Sequence, residues 1–205
     1  QDAGVVTAGT NRTATEAQQP AIVTTASGVR VGLVTGTYGL NGSNAGRPWA
    51  VDTLDPAGLL ARARAARQAG ADLVVVALHA GDEYVVRPTA QQSSLARTLA
   101  ASPDVDLVYG HHAHVVQPWE QVNGTWVIHG VGNLAAQMRK NTPAAQEGVI
   151  AQVTFTEAAG RFVASEVSYV PLLVTYPDAS GGARVLPVTL ALTRGLTDRT
   201  RLVTA

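Results

Sequence analysis

The 205 residues balance 15 acidic against 15 basic side chains, which leaves no net field to draw in nucleic acid or an anionic membrane surface. There is no cysteine, so neither a disulfide framework nor a thiolate metal site can form, and any ion must be held by His, Asp, Glu or Asn. The longest apolar run, residues 73–78, is far below the roughly 20 residues that cross a bilayer, no basic-then-apolar leader opens the chain, and the length suits one domain, since domains run from about 50 to 250 residues.

Residues 1–20 are polar and irregular, with 4–8 hinting at a short strand, and they read as the continuation of something that begins upstream. Residues 21–25 and 29–35 predict two strands joined by a tight turn at Ala26-Ser27-Gly28, followed by a glycine-rich loop, TGTYGLNGSNAGRP. A helix is expected over 55–70: Asp55 suits the N-cap, Pro56 the first turn and Gly70 the C-terminal cap. Leu59, Leu60, Ala63 and Ala66 share its apolar face, with Arg62 and Arg67 turned away.

The valine-rich run 73–78 has the pattern of a strand covered on both faces, and it ends in His79. A second helix is expected over 89–101, where Thr89 and Gln92 have capping-box spacing and Leu95 and Leu99 face inward. Residues 105–109 form the next buried strand, ending in Gly110-His111-His112-Ala113-His114. Strand, helix, strand, helix, strand joined by short links is the order of right-handed parallel crossovers in an α/β fold. The character then changes to antiparallel hairpins: 115–121 with 125–129 around Asn123-Gly124, and 149–156 with 161–170 around Ala159-Gly160. A strand over 185–193 and a flexible loop over 178–183 complete the chain. The expected architecture is α/β: a mostly parallel sheet with flanking helices and a C-terminal antiparallel β portion. It forms one domain over 1–205, with an irregular lead-in (1–20), a crossover region (21–114) and a β-rich region (115–205).

All five histidines lie between residues 79 and 129, and four of them follow the two buried strands. Neighbouring parallel strands lie about 4.8 Å apart and open their crevice at the carboxyl ends. His79 is therefore expected to share one pocket with His111, His112 and His114. Imidazole is a common ligand for zinc, iron and related ions, and a nearby carboxylate suits manganese. Asp82 and Glu83 stand in the loop just past His79. His129, alone in an apolar strand, reads as hydrogen-bonded structure. Asn133 after GVG, Tyr38 and Asn41 in the glycine-rich loop, and Glu120 beside Trp119 are candidates for substrate contact. No GxSxG, cysteine nucleophile or P-loop is present, which argues against serine or cysteine hydrolysis and nucleotide-triphosphate chemistry.

LHAGDEY at 78–84, PTAQQ at 88–92, GHHAHVVQPWE at 110–120 and GVGN at 130–133 occur in the order that resembles the CapA (PgsA) family of bacterial poly-γ-glutamate or capsule synthesis. TYGLNG at 37–42 and the AGTN around Gly9 fit as well, so the resemblance covers roughly residues 5–135. It implies a fold similar to calcineurin-like metallophosphoesterases. It also implies one or two divalent ions (Mn, Fe or Zn), His79 as the lone histidine ligand and His112 with His114 as the final pair. His111 competes for a place in that pair and, with Glu83, stands as a catalytic candidate. The family's first-strand Asp, its Asn-Leu-Glu and its Asn-Asn-His-x-x-x-Asp elements have no counterpart here. Upstream of Ala21 the chain offers only Asp2, Asn11 and Glu16, which leads to the expectation of a C-terminal part of a CapA-like domain, with an N-terminal segment and part of the metal shell missing.

The expected function is a metal-dependent phosphoesterase-type hydrolase serving poly-γ-glutamate or capsule synthesis, extracellular or anchored at the cell surface. Its partners would be a polyglutamate or phosphoester substrate and membrane synthase subunits, and no nucleic acid. Two other readings stand beside it: a non-catalytic scaffold or polymer-binding subunit of a synthase complex, and a γ-glutamyl amidohydrolase with Glu83 activating water.

Overall fold

The computed structural model describes residues 4–136, 142–175 and 184–188. Its larger sheet has six strands in the order β1-β2-β3-β4-β6-β5. These are β1 (Ala21–Thr24), β2 (Arg30–Thr37), β3 (Leu73–Ala80), β4 (Leu107–His112), β5 (Val116–Val122) and β6 (Thr125–Val131). Strands β2, β3, β4 and β6 run parallel, while β1 and β5 close the two edges antiparallel. The turn between β5 and β6 is Asn123-Gly124 with φ of +51° and +88°, the left-handed pair that a two-residue hairpin requires. Residues 4–8 form no strand; only Thr10 bridges to Val51, and the Asp52 N–H donates to the Gly9 carbonyl at 2.9 Å.

Helix α1 (Pro56–Gln68) starts where Asp55 accepts from the N–H groups of Ala57 (3.2 Å) and Gly58 (3.0 Å), and it stops before Gly70 at φ +88°. Capping of this kind is worth about 1 kcal/mol. Leu59, Ala63 and Ala66 are buried as the pattern demands, but the arginines do not simply point to water. Arg62 reaches the carboxylate of Asp52 at 2.6 Å, and Arg67 pairs with buried Asp106, because their long stems let the heads find acids at the margin of the core.

Helix α2 (Ala90–Ala100) is capped by the Thr89 hydroxyl, which accepts from the Gln92 N–H at 3.1 Å. The reciprocal half of the capping box is absent. The Gln92 amide nitrogen instead donates to Gln117 Oε1 (2.8 Å) and to the His129 carbonyl (2.9 Å), tying the helix to β5 and β6. Because β2, β3 and β4 are added in one direction, both right-handed crossovers place their helices on one face. There Leu59, Ala63, Leu95 and Leu99 pack on Val34, Val74, Val76, Leu78 and Val108. Each fully buried leucine contributes about 1.5–3 kcal/mol.

The second sheet holds β7 (Glu147–Ala158), β8 (Arg161–Val174) and β9 (Val185–Pro187) in that order, all antiparallel, and joins the first through a bridge between Gly132 and Gly148. The expected strand over 185–193 is seen through Pro187, with residues 189–193 outside the described residues, as is the loop expected over 178–183. Among the described residues no helix is long and apolar enough to cross a membrane.

Candidate metal centre

Strand register brings the histidines together. His79 is opposite His111 and Ala80 opposite His112 between β3 and β4, while Thr37, the last residue of β2, is opposite His79. His79 and His111 thus stand within strand ends and not after them, and His112 closes β4. The His79 ring lies 5.0 Å from His111 and 4.5 Å from His112, centroid to centroid, and His112 lies 6.1 Å from His114. His112 (φ +96°) and His114 (φ +58°) both adopt left-handed backbone, as does Tyr84 (φ +65°). The chain there curls back on itself, where sequence spacing suggested an extended loop. Such conformations cost about 1–3 kcal/mol each and persist where surrounding contacts hold them. One such contact is the Tyr84 N–H, which donates to the Ala113 carbonyl at 2.7 Å.

Two imidazoles are held in a defined tautomer. The Thr37 hydroxyl donates to the Gly39 carbonyl (2.9 Å), so toward His79 Nδ1 (2.8 Å) it can only accept. Nδ1 therefore carries the proton and Nε2 of His79 is bare. Asn133 repeats the device: its amide nitrogen donates to the carbonyls of His114 (3.2 Å) and Ala145 (2.7 Å), leaving Oδ1 to accept from His114 Nδ1 at 2.8 Å. Nε2 of His114 is left bare and stands 3.8 Å from Glu83 Oε1. An outer hydrogen bond on Nδ1 that frees Nε2 is the usual support of a metal-binding histidine.

Electrostatics favour the same neutral form. Burial, then the neighbouring His111, His112 and His114, pushes the His79 imidazole down to about 4. His111 is lowered by its crowded surroundings, although its outer edge meets solvent, and then by His112 and His114. His112 is lowered chiefly by burial, with Glu83 acting in the opposite direction. Neutral imidazoles are what a cation needs.

Ligand atoms of Glu83, His112 and His114 all lie within 4.8 Å of one another. Ions bound at about 2.0–2.2 Å hold their ligand atoms somewhat closer than that, so the three side chains would have to draw in to hold one. Two imidazoles and a carboxylate are a donor set for zinc, iron or manganese. Beside the trio opens a cavity of about 400 Å³, lined by Tyr38, Asp82, Glu83, Thr89, Gln92 and His112 among others. A larger cavity of about 670 Å³ lies between residues 4–11, β1 and α1, and no histidine lines it.

The Tyr38 ring packs tilted against His112, centroids 4.4 Å apart, and its hydroxyl donates to Asn41 Oδ1 at 2.7 Å, so Asn41 reaches the site through the tyrosine. Glu120 is not brought to the cluster of His79, His111, His112 and His114. It lies in the middle of β5, opposite Val127, paired with Arg97 and bonded to Nε2 of buried His129 at 2.8 Å. Its place in the strand register, and not the adjoining tryptophan, decides where it points. Thr37 escaped the sequence reading because nothing but that register assigns it to His79.

Residues 1–138 match the family model described as bacterial capsule synthesis protein PGA_cap. Over 63 residues the chain is 43% identical to the PGA biosynthesis protein CapA of Bacillus subtilis (strain 168), covering 31% of this chain and 16% of that protein. Over 74 residues it is 32% identical to the capsule biosynthesis protein CapA of Bacillus anthracis, covering 36% of this chain and 18% of that protein. The matched stretches therefore span less than a fifth of either relative. In three dimensions the chain is similar to the calcineurin-like phosphoesterase YfkN from Bacillus subtilis. That superposition has a TM-score of 0.50 at 13% identity and covers 93% of this chain and 60% of the other.

Proposed function

Because the chain belongs to the bacterial capsule synthesis protein family PGA_cap and has a calcineurin-like phosphoesterase fold, we propose that it serves poly-γ-glutamate capsule synthesis through a metal-dependent hydrolase site at the cell surface. The observation that carries this reading is the convergence of Glu83, His112 and His114, with His79 and His114 each held so that Nε2 is bare. These residues would hold one ion, and His79 with His111 would border a second. When bound, a divalent ion supplies Lewis acidity and lowers the pKa of a water. The protein's own part is to fix imidazole orientation through Thr37 and Asn133, to narrow access with Tyr38, and to place Glu83 where it ligates or takes a proton.

The fold favours a phosphoester as the bond cleaved. One observation favours a γ-glutamyl amide: among the described residues the cavity beside the trio is lined by Asp82 and Glu83 and by no arginine or lysine, whereas phosphate sites are normally built with cationic donors. The test is to load the protein with manganese, iron or zinc, quantify bound ion, and assay an aryl phosphate and a γ-linked oligoglutamate. His112→Ala and His114→Ala should each lower metal content and reduce turnover about 100-fold or more. Equal turnover after chelation would end the metal-dependent reading. Polyglutamate binding without any hydrolysis would transfer the assignment to a scaffold in a membrane synthase complex.

A further inference from the structure

The histidines of the metal centre are not all held alike. His79 and His114 are each fixed by a hydrogen bond that Nδ1 donates, to Thr37 and to Asn133 respectively. Among the described residues neither ring nitrogen of His112 has a hydrogen-bonding partner, and its backbone, at φ +96°, is left-handed. Its ring is held by other rings instead. Tyr38 packs against it with centroids 4.4 Å apart and planes tilted by 33°, while His79 meets it edge-on at 4.5 Å. Tyr38 is itself anchored at both ends: its N–H donates to the His79 carbonyl at 3.0 Å and its hydroxyl to Asn41 Oδ1 at 2.7 Å. Asn41 offers that oxygen from left-handed backbone at φ +50°, a conformation in which asparagine is enriched.

We propose that Tyr38 is the positioning residue of His112, supplying by ring packing the orientation that Thr37 and Asn133 supply by hydrogen bonds to His79 and His114; it rests on the metal centre proposed above. The torsion that turns an imidazole about its Cβ–Cγ bond has broad wells, so a ring without an outer hydrogen bond turns easily. A second flat ring packed against it blocks that turn while leaving both nitrogens free of protein partners. His112 is then aimed but not locked, which suits a trio whose ligand atoms must draw in around an ion. The strand register explains why successive residues serve two different imidazoles. Thr37 closes β2 opposite His79, and His112 lies one strand further on, opposite Ala80. Tyr38, the first residue beyond β2, reaches across to it. The side chain is 49% exposed, so it adds little to the core, and its removal should be felt at His112 before it is felt in stability.

The test follows the His112 ring protons by NMR in the metal-free 205-residue chain and measures zinc affinity by competition with a chromophoric chelator. In the wild type and in Tyr38→Phe those protons should carry an aromatic ring-current shift. In Tyr38→Ala the shift should vanish, with the ring of His114, which packs on Tyr84, barely moved. Zinc affinity should fall about tenfold in Tyr38→Ala, the lower end of what outer partners of metal-binding histidines confer, and stay within about threefold of wild type in Tyr38→Phe. The unfolding midpoint should barely move in either variant. Should Tyr38→Ala lower it, Tyr38→Leu, which keeps bulk without a flat face, takes its place with the same expected fall in affinity. Affinity unchanged in Tyr38→Ala, an equal fall in Tyr38→Phe and Tyr38→Ala, or His112 shifts indifferent to the residue at this position overturns the proposal alone, because wild-type zinc binding still supports the metal centre. A wild type that binds no zinc removes the metal centre as well, and the role of Tyr38 with it.

Discussion

Thr37 and Asn133 make no contact with a ligand atom of the trio's metal-facing side, yet each fixes which nitrogen of a histidine is bare. Thr37→Val keeps the volume and removes the acceptor, so His79 is free to rotate or to change tautomer. Metal affinity measured by competition with a chromophoric chelator should fall roughly 10- to 100-fold, Thr37→Ser should recover most of it, and the unfolding midpoint should barely move. Unchanged affinity in Thr37→Val would show that the hydroxyl has no hold on His79. Glu120→Gln is the contrasting case. Its pair with Arg97 is exposed and its bond to His129 is remote from the trio, so metal affinity should stay as it is.

Strands β4 and β6 pair in parallel from Leu107 and Trp126 as far as Tyr109 and Ile128. Beyond that point a Cβ on Gly110 would stand 2.0 Å from the His129 carbonyl oxygen. No side chain fits there. Gly110→Ala must push the two strands apart just where β4 delivers His111 and His112. We expect a loss of about 3 kcal/mol or more in urea unfolding together with weakened metal binding; a stable variant with intact binding would mean that the strands can separate without disturbing the site. At this scale much was legible in the sequence. Asp55-Pro56 and Thr89 announced both helices, Asn123-Gly124 and Ala159-Gly160 announced both hairpins, and the valine run announced β3. What the sequence hid depended on partners distant in the chain. Residues 4–8 had strand-like character but no strand to pair with, and Gln92 had capping-box spacing but found a better acceptor across the sheet.

Across the whole molecule, parallel order was readable from the alternation of elements, and it alone predicted that His79 and the 111–114 group would meet. The insertion of β6 between β4 and β5 was not readable, because a hairpin can dock by either strand and the choice lies in packing. That choice is what buries His129 and leads Asn133 back to His114. The crowding of imidazoles at one sheet end also makes the stability of the metal-free protein depend on pH. His79 is held down to about 4, against an ordinary value of 6.5, by burial and then by its histidine neighbours, and His111 and His112 are lowered in the same direction. Between those two values the unfolded chain takes up protons that the folded chain refuses. Stability therefore rises with pH across this window, is complete above 6.5, and is lost as the pH falls toward 4. Asp52 and Asp106, raised by burial, act with the opposite sign from the carboxylate range upward, so the comparison must be differential. Chelator-treated wild type and His79→Gln are unfolded in urea at pH 7 and pH 5. The wild type should lose more stability between the two, and equal losses would mean that His79 is as free to take a proton in the fold as in the open chain.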